Sequence, residues 1–296
     1  MTSGPAPGAN LGSYRIDSLL GRGGMGVVYL AEHIHLGRKV ALKVLAPDMA
    51  DDEEFRQRFL RESQMAARVE HKNIIPVYDA GEADGLLYIS MRYVDGSDLK
   101  TLITERAPLE TDYALGLMGQ VASALDAAHK HGLVHRDVKP GNILIEPDGS
   151  RYGRVYLTDF GLTKMANSHT SVTKTGMFLG SIDYAAPEQW EGKQLDGRTD
   201  IYALGCVAFE CLTGEVPYLR ETPLAAMHAH LMEPPPRVGQ RRPDLGDDID
   251  RGIQRAMSKS PDDRHFDCLS FIDEMRGRGL HRGQAGGTAA HVSPPG

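Results

Sequence analysis

Two opposite charges fall on apolar faces of neighbouring segments of this sequence. Lys43 lies in VALKVL, a strand-like stretch where an unpaired ammonium group would be costly to bury. Glu62 lies on the apolar stripe of a predicted helix. The other members of that stripe are Phe55, Phe59, Ala66 and Val69. Pairing would satisfy both charges, and because a buried ion pair stabilises a fold only weakly, we favour a functional pair over a structural one.

A glycine-rich segment, GRGGMGVVY, contains the pattern GxGxxGxV. In a dinucleotide-binding loop a helix would begin at these glycines, but VVYLAEH is β-branched and strand-like. The phosphate-binding pattern GxxxxGK[ST] does not occur. A glycine-rich turn between two strands can lie over ATP phosphates, because its backbone N–H groups approach closely. An ordinary hairpin turn explains the segment equally well when it is taken alone.

The stretch HRDVKPGN, residues 135–142, follows a predicted helix and precedes the strand-like ILIE. Further along lie DFG at 159–161 and APE at 186–188. Together with GxGxxGxV and VALK, these motifs stand in the order and spacing of one family. The chain from about residue 12 to 278 resembles a bacterial Hanks-type (eukaryotic-like) serine/threonine protein kinase, especially the actinobacterial receptor-like kinases.

The resemblance implies a role for each polar residue of these motifs. Asp137 would accept or orient the proton of a substrate hydroxyl, and Lys139 would reach the transferred phosphoryl group. Asn142 and Asp159 would hold Mg²⁺, with Mn²⁺ as an alternative ion, against the phosphates of ATP. Lys139 within KPxN is typical of serine/threonine kinases, so the implied partners are proteins with serine or threonine acceptors.

The same resemblance implies a nucleotide site between the glycine-rich hairpin and the helical part of the chain. Lys43, oriented by Glu62, would bind the α- and β-phosphates of ATP. Met91 occupies the gatekeeper position, and the linker up to Val94 would supply backbone hydrogen bonds to adenine. The predicted nucleotide-binding residues are Leu20, Gly21, Gly23, Gly24, Met25, Gly26, Val28, Ala41, Lys43, Met91, Val94, Asn142, Leu144 and Asp159.

Other residues of the motifs are predicted to be structural. The resemblance implies that His135 packs against Phe160 and takes no part in acid–base chemistry. Glu188 is expected to pair with Arg264, and Asp200 to anchor the backbone of the catalytic loop.

The segment between DFG and APE contains SVTKTGMF. Arg136 precedes the predicted catalytic aspartate, and a phosphate on this segment would give it a charge-assisted partner. We therefore predict autophosphorylation at Thr173 and Thr175, the alternative being a merely polar loop. Ser181 stands where the family usually has threonine, and its hydroxyl can still bridge Asp137 and Lys139.

The elements that must position these residues change character along the chain. Alternating strand-like runs precede residue 96, with one helix near 51–69, whereas helical periodicity dominates afterwards, as over 111–130. We predict an α+β, two-lobed protein-kinase fold, with an antiparallel sheet and one main helix in the N-lobe and a mostly helical C-lobe.

The predicted kinase domain is residues 13–278, with the N-lobe at about 13–92 and the C-lobe at about 95–278. A flexible N-terminus, 1–12, precedes it, and the Gly/Pro-containing segment 279–296 is predicted to be a disordered tail or linker.

Composition excludes several other classes. The net charge of −7 argues against general nucleic-acid binding, and no apolar run is long enough to span a membrane. Three cysteines without a CxxC pattern fit a cytoplasmic protein. A membrane tether is expected only if the natural chain is longer. A homodimer through the N-lobe is left open.

Two other functions on the same fold are weighed against kinase activity. A pseudokinase scaffold should lack at least one of Lys43, Asp137, Asn142 and Asp159, and all four are present. A small-molecule kinase of the aminoglycoside-phosphotransferase type typically lacks KPxN and an APE-type segment. Both alternatives are therefore disfavoured.

Overall fold

An antiparallel sheet forms the N-terminal lobe. The computed structural model describes residues 5–23, 26–50, 52–160 and 182–278. The strands run in the order β1-β2-β3-β4-β6-β5. They are β1 (Asn10–Leu11), β2 (Tyr14–Gly23), β3 (Gly26–His33), β4 (Arg38–Leu45), β5 (Val77–Ala83) and β6 (Leu86–Arg92). The β2–β3 hairpin carries the glycine-rich segment, as the strand-like pattern after the glycines predicts.

Strand β4 lies inside this sheet between β3 and β6, and most of its side chains are buried. Its register places Lys43 opposite Val28 on one side and Ile89 on the other. A Cβ atom on Gly26 would lie 2.1 Å from the carbonyl oxygen of Val44, so the close approach of β3 to β4 requires glycine at this position.

One long helix packs against the sheet after the short helix α1 (Pro47–Ala50). This helix, α2 (Glu53–Ala67), begins where the Asp52 carboxylate accepts the amides of Glu54 and Phe55. The predicted stripe is present, since Phe55 and Phe59 are buried. The sequence interpretation therefore identified the face of this helix correctly.

The C-terminal lobe is mostly helical. Its central helix, α6, is buried along almost its whole length, with Asp200 and Phe209 fully enclosed. The helices are α3 (Leu99–Arg106), α4 (Thr111–Lys130), α5 (Pro187–Trp190), α6 (Gly197–Thr213), α7 (Pro223–Met232), α8 (Asp247–Ala256) and α9 (Cys268–Met275). A small sheet joins β7 (Ser97–Asp98), β8 (Ile143–Glu146) and β9 (Arg154–Leu157).

The predicted two-lobed α+β architecture is confirmed. The helix predicted over 111–130 coincides with α4. Gly132, just after its end, has a left-handed φ of 72°, which is common for the glycine that follows a helix. Among the helices that the described ranges contain, none combines the length and the apolar character needed to cross a membrane.

Candidate active site

Residues 135–142, the predicted catalytic loop, are held in place by a buried carboxylate of α6. Asp200 accepts the amide of His135 at Oδ2 over 2.8 Å and the amide of Arg136 at Oδ1 over 2.7 Å. These bonds hold Arg136 at a φ of 66°, which is uncommon for a residue other than glycine. The predicted anchoring role of Asp200 agrees with these contacts.

Asp137 lies at the centre of a short polar network. Lys139 Nζ donates to Asp137 Oδ2 over 2.7 Å, and Asn142 Nδ2 donates to the same oxygen over 3.2 Å. Asn142 Nδ2 also donates to the backbone oxygen of Asp137 over 2.9 Å. The carboxylate is nearly buried, and hydrogen bonds to charged and neutral donors set its orientation.

His135 uses both ring nitrogens within the protein. Its Nδ1 accepts the amide of Asp137 over 3.3 Å, so Nε2 carries the proton and donates to the carbonyl of Thr158 over 2.9 Å. Its ring packs on Phe160 with centroids 4.7 Å apart. The structural role predicted for His135 fits this arrangement, since no ring nitrogen is left for substrate.

Lys43 meets a different carboxylate from the one predicted. Its ammonium lies 2.8 Å from Asp159 Oδ1. Burial would raise the pKa of Asp159, but the Lys43 ammonium outweighs burial and holds that pKa below its ordinary value. Lys43 and Glu62 form no ion pair with each other within the described residues, so the orientation of Lys43 by Glu62 stays a prediction for the nucleotide complex.

Glu62 instead faces the catalytic loop, where its Oε1 lies 3.8 Å from Arg136 Nη1. Its Oε2 is buried and has no hydrogen-bond partner within the described ranges. Burial raises the pKa of Glu62, and Arg136 and Arg58 offset only part of that rise. Periodicity located the face of α2 that carries Glu62. It could not predict that Asp159 would take Lys43, because that choice depends on how α2 docks.

Several predicted adenine-binding residues meet at the boundary between the lobes. Ala41, Val94 and Leu144 pack on an apolar cluster that includes Met91. Met91 is buried, and its sulfur accepts the hydroxyl of Thr158 over 3.5 Å. The other described members of the predicted set, Leu20, Gly21, Gly23, Gly26 and Val28, lie on β2 and β3.

Asn142 and Asp159 each have a side-chain oxygen that suits a hard divalent cation. Because Asn142 Nδ2 points at Asp137, Asn142 Oδ1 is the atom left to bind a metal ion. Asp159 uses Oδ1 for Lys43 and offers Oδ2. An all-oxygen donor set of this kind is what Mg²⁺ and Mn²⁺ prefer.

Helix α5 is joined to the connection between α8 and α9 and to the catalytic loop. Arg264 donates to both oxygens of Glu188 over 2.7 and 2.8 Å, as predicted. Gln189 Nε2 donates to the carbonyl of Arg136 over 3.0 Å. Sequence reasoning missed Gln189 as a support of the loop, because nothing in its local pattern points to a partner so distant in sequence.

Several predicted residues lie outside the described part of the chain. They are Gly24, Met25, Gly161, Thr173, Thr175 and Ser181.

Comparison with known proteins places this arrangement in a family. The protein kinase domain family matches residues 14–275. Serine/threonine-protein kinase PknF of Mycobacterium tuberculosis is 42% identical over 283 residues, which cover 95% of this chain and 59% of that protein. PknJ of the same species is 43% identical over 256 residues, covering 86% of this chain and 43% of PknJ. The chain thus spans about half the length of the curated relatives it matches.

A solved structure agrees in fold. The crystal structure of the Mycobacterium tuberculosis PknI kinase domain superposes with a TM-score of 0.75 at 38% sequence identity, covering 93% of this chain and 100% of that one. The predicted resemblance to actinobacterial kinases is confirmed, and the chain belongs to the protein kinase family.

Proposed function

We propose that this chain transfers the terminal phosphoryl group of ATP to serine and threonine hydroxyls of proteins. The observation that carries the proposal is the Asp137 network, in which Lys139 and Asn142 both donate to one carboxylate oxygen. Phosphoryl transfer depends mainly on positioning and on charge neutralisation, and this network supplies both. The relatives named serine/threonine-protein kinases support the acceptor class.

In this proposal Asp137 orients the attacking hydroxyl and receives its proton, and Lys139 balances the negative charge of the transferred group. Asn142 and Asp159 would hold Mg²⁺ or Mn²⁺, which would supply positive charge against the phosphates of ATP. The adenine ring lies on the apolar surface formed by Ala41 and its neighbours.

Nucleotide binding requires the ion pairs around Lys43 to rearrange. Asp159 would serve the metal ion in the nucleotide complex, and the Lys43 ammonium would leave that carboxylate for the α- and β-phosphates, with Glu62 as its new partner. Glu62 Oε2, which is buried and has no hydrogen-bond partner among the described residues, would gain one in this exchange.

The exchange also frees Arg136, whose guanidinium meets Glu62 at 3.8 Å. We propose that autophosphorylated Thr173 and Thr175 take Arg136 as their partner, because a phosphate and a guanidinium form strong bidentate hydrogen bonds. Loss of the Arg136–Glu62 contact and gain of the Lys43–Glu62 contact would then be coupled.

The test is phosphate transfer from labelled ATP by wild type and Asp137→Asn, each with Mg²⁺ and a protein substrate. We expect the variant to lose nearly all incorporation, because its amide cannot accept the hydroxyl proton. The matched control is Asp148→Asn, which makes the same change at an exposed position in the β8–β9 turn. Equal incorporation by wild type and Asp137→Asn would contradict the proposed mechanism, and label found only on tyrosine would contradict the acceptor class.

A further inference from the structure

Three potential metal ligands that the proposed phosphoryl transfer does not use lie together where α4 meets α9. They are Asp126 and His129 on α4 and Cys268, the first residue of α9. One ligand atom from each lies within 4.8 Å of the others. We propose that they form a binding site for a divalent metal ion of intermediate softness, with Zn²⁺ as the natural occupant.

The imidazole of His129 is already oriented as a metal ligand. Its Nε2 lies 2.7 Å from Asp200 Oδ2, and an ionised carboxylate can only accept, so Nε2 carries the proton. Nδ1 is then the ring nitrogen left to bind a metal ion, and it lies 4.0 Å from Asp126 Oδ1. Histidines that bind metals commonly donate their other N–H to a carboxylate in this way.

Gly197 of the neighbouring α6 lies over the face of the His129 ring. A Cβ atom on Gly197 would lie 2.6 Å from His129 Nδ1 and 2.9 and 3.0 Å from the two ring carbons bonded to it. A Cβ atom in the plane of the ring beyond Nδ1 would lie much farther from the two carbons than from Nδ1. The near-equal distances therefore place the Cβ atom above the face of the ring. Gly197 thus lets α6 cover the face of the ring.

The carboxylate of Asp126 is held beside the thiol of Cys268 by two amides. Its Oδ1 accepts the N–H of Cys268 over 2.8 Å, and its Oδ2 accepts the N–H of Leu269 over 3.0 Å. Each carboxylate oxygen has a further acceptor position. Asp126 can therefore cap α9 and bind a cation at the same time.

The charges of the set balance for a divalent ion. Binding would form metal–sulfur and metal–nitrogen bonds and release to solvent the thiol proton of Cys268, together with the proton on Nδ1 of any His129 that is doubly protonated. A thiolate, a carboxylate and a neutral imidazole then carry two negative charges in total, which cancel those of the ion. Such neutrality matters because all three side chains are largely or fully buried.

Solvent can supply the fourth ligand. Asp126 and His129 line a cleft of about 720 Å³ between the end of α4, the start of α6 and the residues leading into α9. Three protein ligands and one water complete the tetrahedral coordination that Zn²⁺ favours. The alternative is that Asp126 only caps α9, Cys268 is only core, and a protonated His129 lies between Asp200 and Asp126. Only the metal site predicts a cobalt–thiolate spectrum.

Cobalt substitution tests the site in the full chain freed of metal by a chelator. We expect one equivalent of Co²⁺ to give a thiolate-to-cobalt charge-transfer band and the visible bands of tetrahedral Co²⁺, and Zn²⁺ to displace it. Cys268→Ala should abolish the band and weaken Zn²⁺ binding by more than about 10–100-fold, the usual cost of removing even an outer partner. Cys211→Ala, at a buried thiol of α6, is the matched control and should keep both.

A second measurement covers the case in which Cys268→Ala does not fold. Anomalous scattering at the zinc edge from wild-type crystals should place one ion between the three side chains. A featureless cobalt spectrum, an unchanged band in a folded Cys268→Ala protein or an anomalous peak elsewhere would each overturn the proposal.

Discussion

The catalytic loop and the surroundings of Lys43 differ in how completely their polar groups are paired. In the loop, Asp200 holds two amides and His135 uses both ring nitrogens. Around Lys43, Glu62 keeps one oxygen buried without a hydrogen bond in the described structure. The hydrogen bonds of Asp200 and His135 fix one backbone geometry. At the Arg136–Glu62 contact, by contrast, Arg136 Nε and Glu62 Oε2 are buried without a hydrogen bond in the described structure, and such groups gain free energy by changing partners. We infer that the loop is preorganised and that the Lys43 side rearranges.

The largest expected effect comes from disturbing the preorganised loop. Asp200→Asn replaces an acceptor of two backbone amides and of His129 with a side chain that has only one acceptor oxygen. Since misplacing a catalytic group by about 1 Å can cost about 100-fold, we expect kcat to fall by roughly that factor. Steady-state kinetics with a protein substrate measure it.

A thermal melt of the same variant separates geometry from unfolding. The melting temperature should fall, yet the protein should remain folded at the assay temperature. Asp148→Asn, at an exposed position of the β8–β9 turn, is again the control and should change neither quantity. Wild-type kcat in Asp200→Asn would show that the loop keeps its geometry without this carboxylate.

The sequence predicted the preorganised region better than the region that rearranges. His135, Asp137 and Asn142 are close in sequence, so the motif itself brings them together. Asp200 and the Glu188–Arg264 pair are distant in sequence, but the family resemblance supplied them. His129 and Gln189 have no local signal, because each owes its role to a contact made only in the folded lobe.

The choice between partners for Lys43 could not be predicted from the sequence. Inward-facing periodicity correctly placed Glu62 on the buried face of α2 and Lys43 within β4. Three further charges, Asp159, Arg136 and Arg58, compete for the same two groups. Which pairs form depends on small shifts of α2 relative to the cleft, and a spacing pattern does not contain that information.

A smaller effect on catalysis is expected from a change at Glu62. Glu62→Gln keeps the shape of the side chain but removes the charge that would orient Lys43 in the nucleotide complex. We expect kcat/KM for ATP to fall by about tenfold, since Lys–Glu pairing supports nucleotide positioning in this family. The melting temperature should stay level or rise, because the variant no longer buries a poorly paired carboxylate.

The matched control is Glu54→Gln, which makes the same change on the exposed face of α2. It should leave both kcat/KM and melting temperature close to wild type. A fall in melting temperature for Glu62→Gln without loss of kcat/KM would assign Glu62 a purely structural role and would remove the contrast between the two regions.

The smallest expected effect is a pH dependence of the difference in free energy of unfolding between Glu62→Gln and wild type. Burial raises the pKa of Glu62, so its contribution to stability is fully present below the pKa of the unfolded chain. That contribution is lost as the pH rises through the folded pKa. Glu62→Gln does not titrate in this range, so the free energy of unfolding of the variant minus that of wild type should increase between about pH 4 and pH 7. Urea titrations at several pH values measure this difference, and a difference that falls with pH would mean that Arg136 already pairs Glu62 strongly in the folded chain.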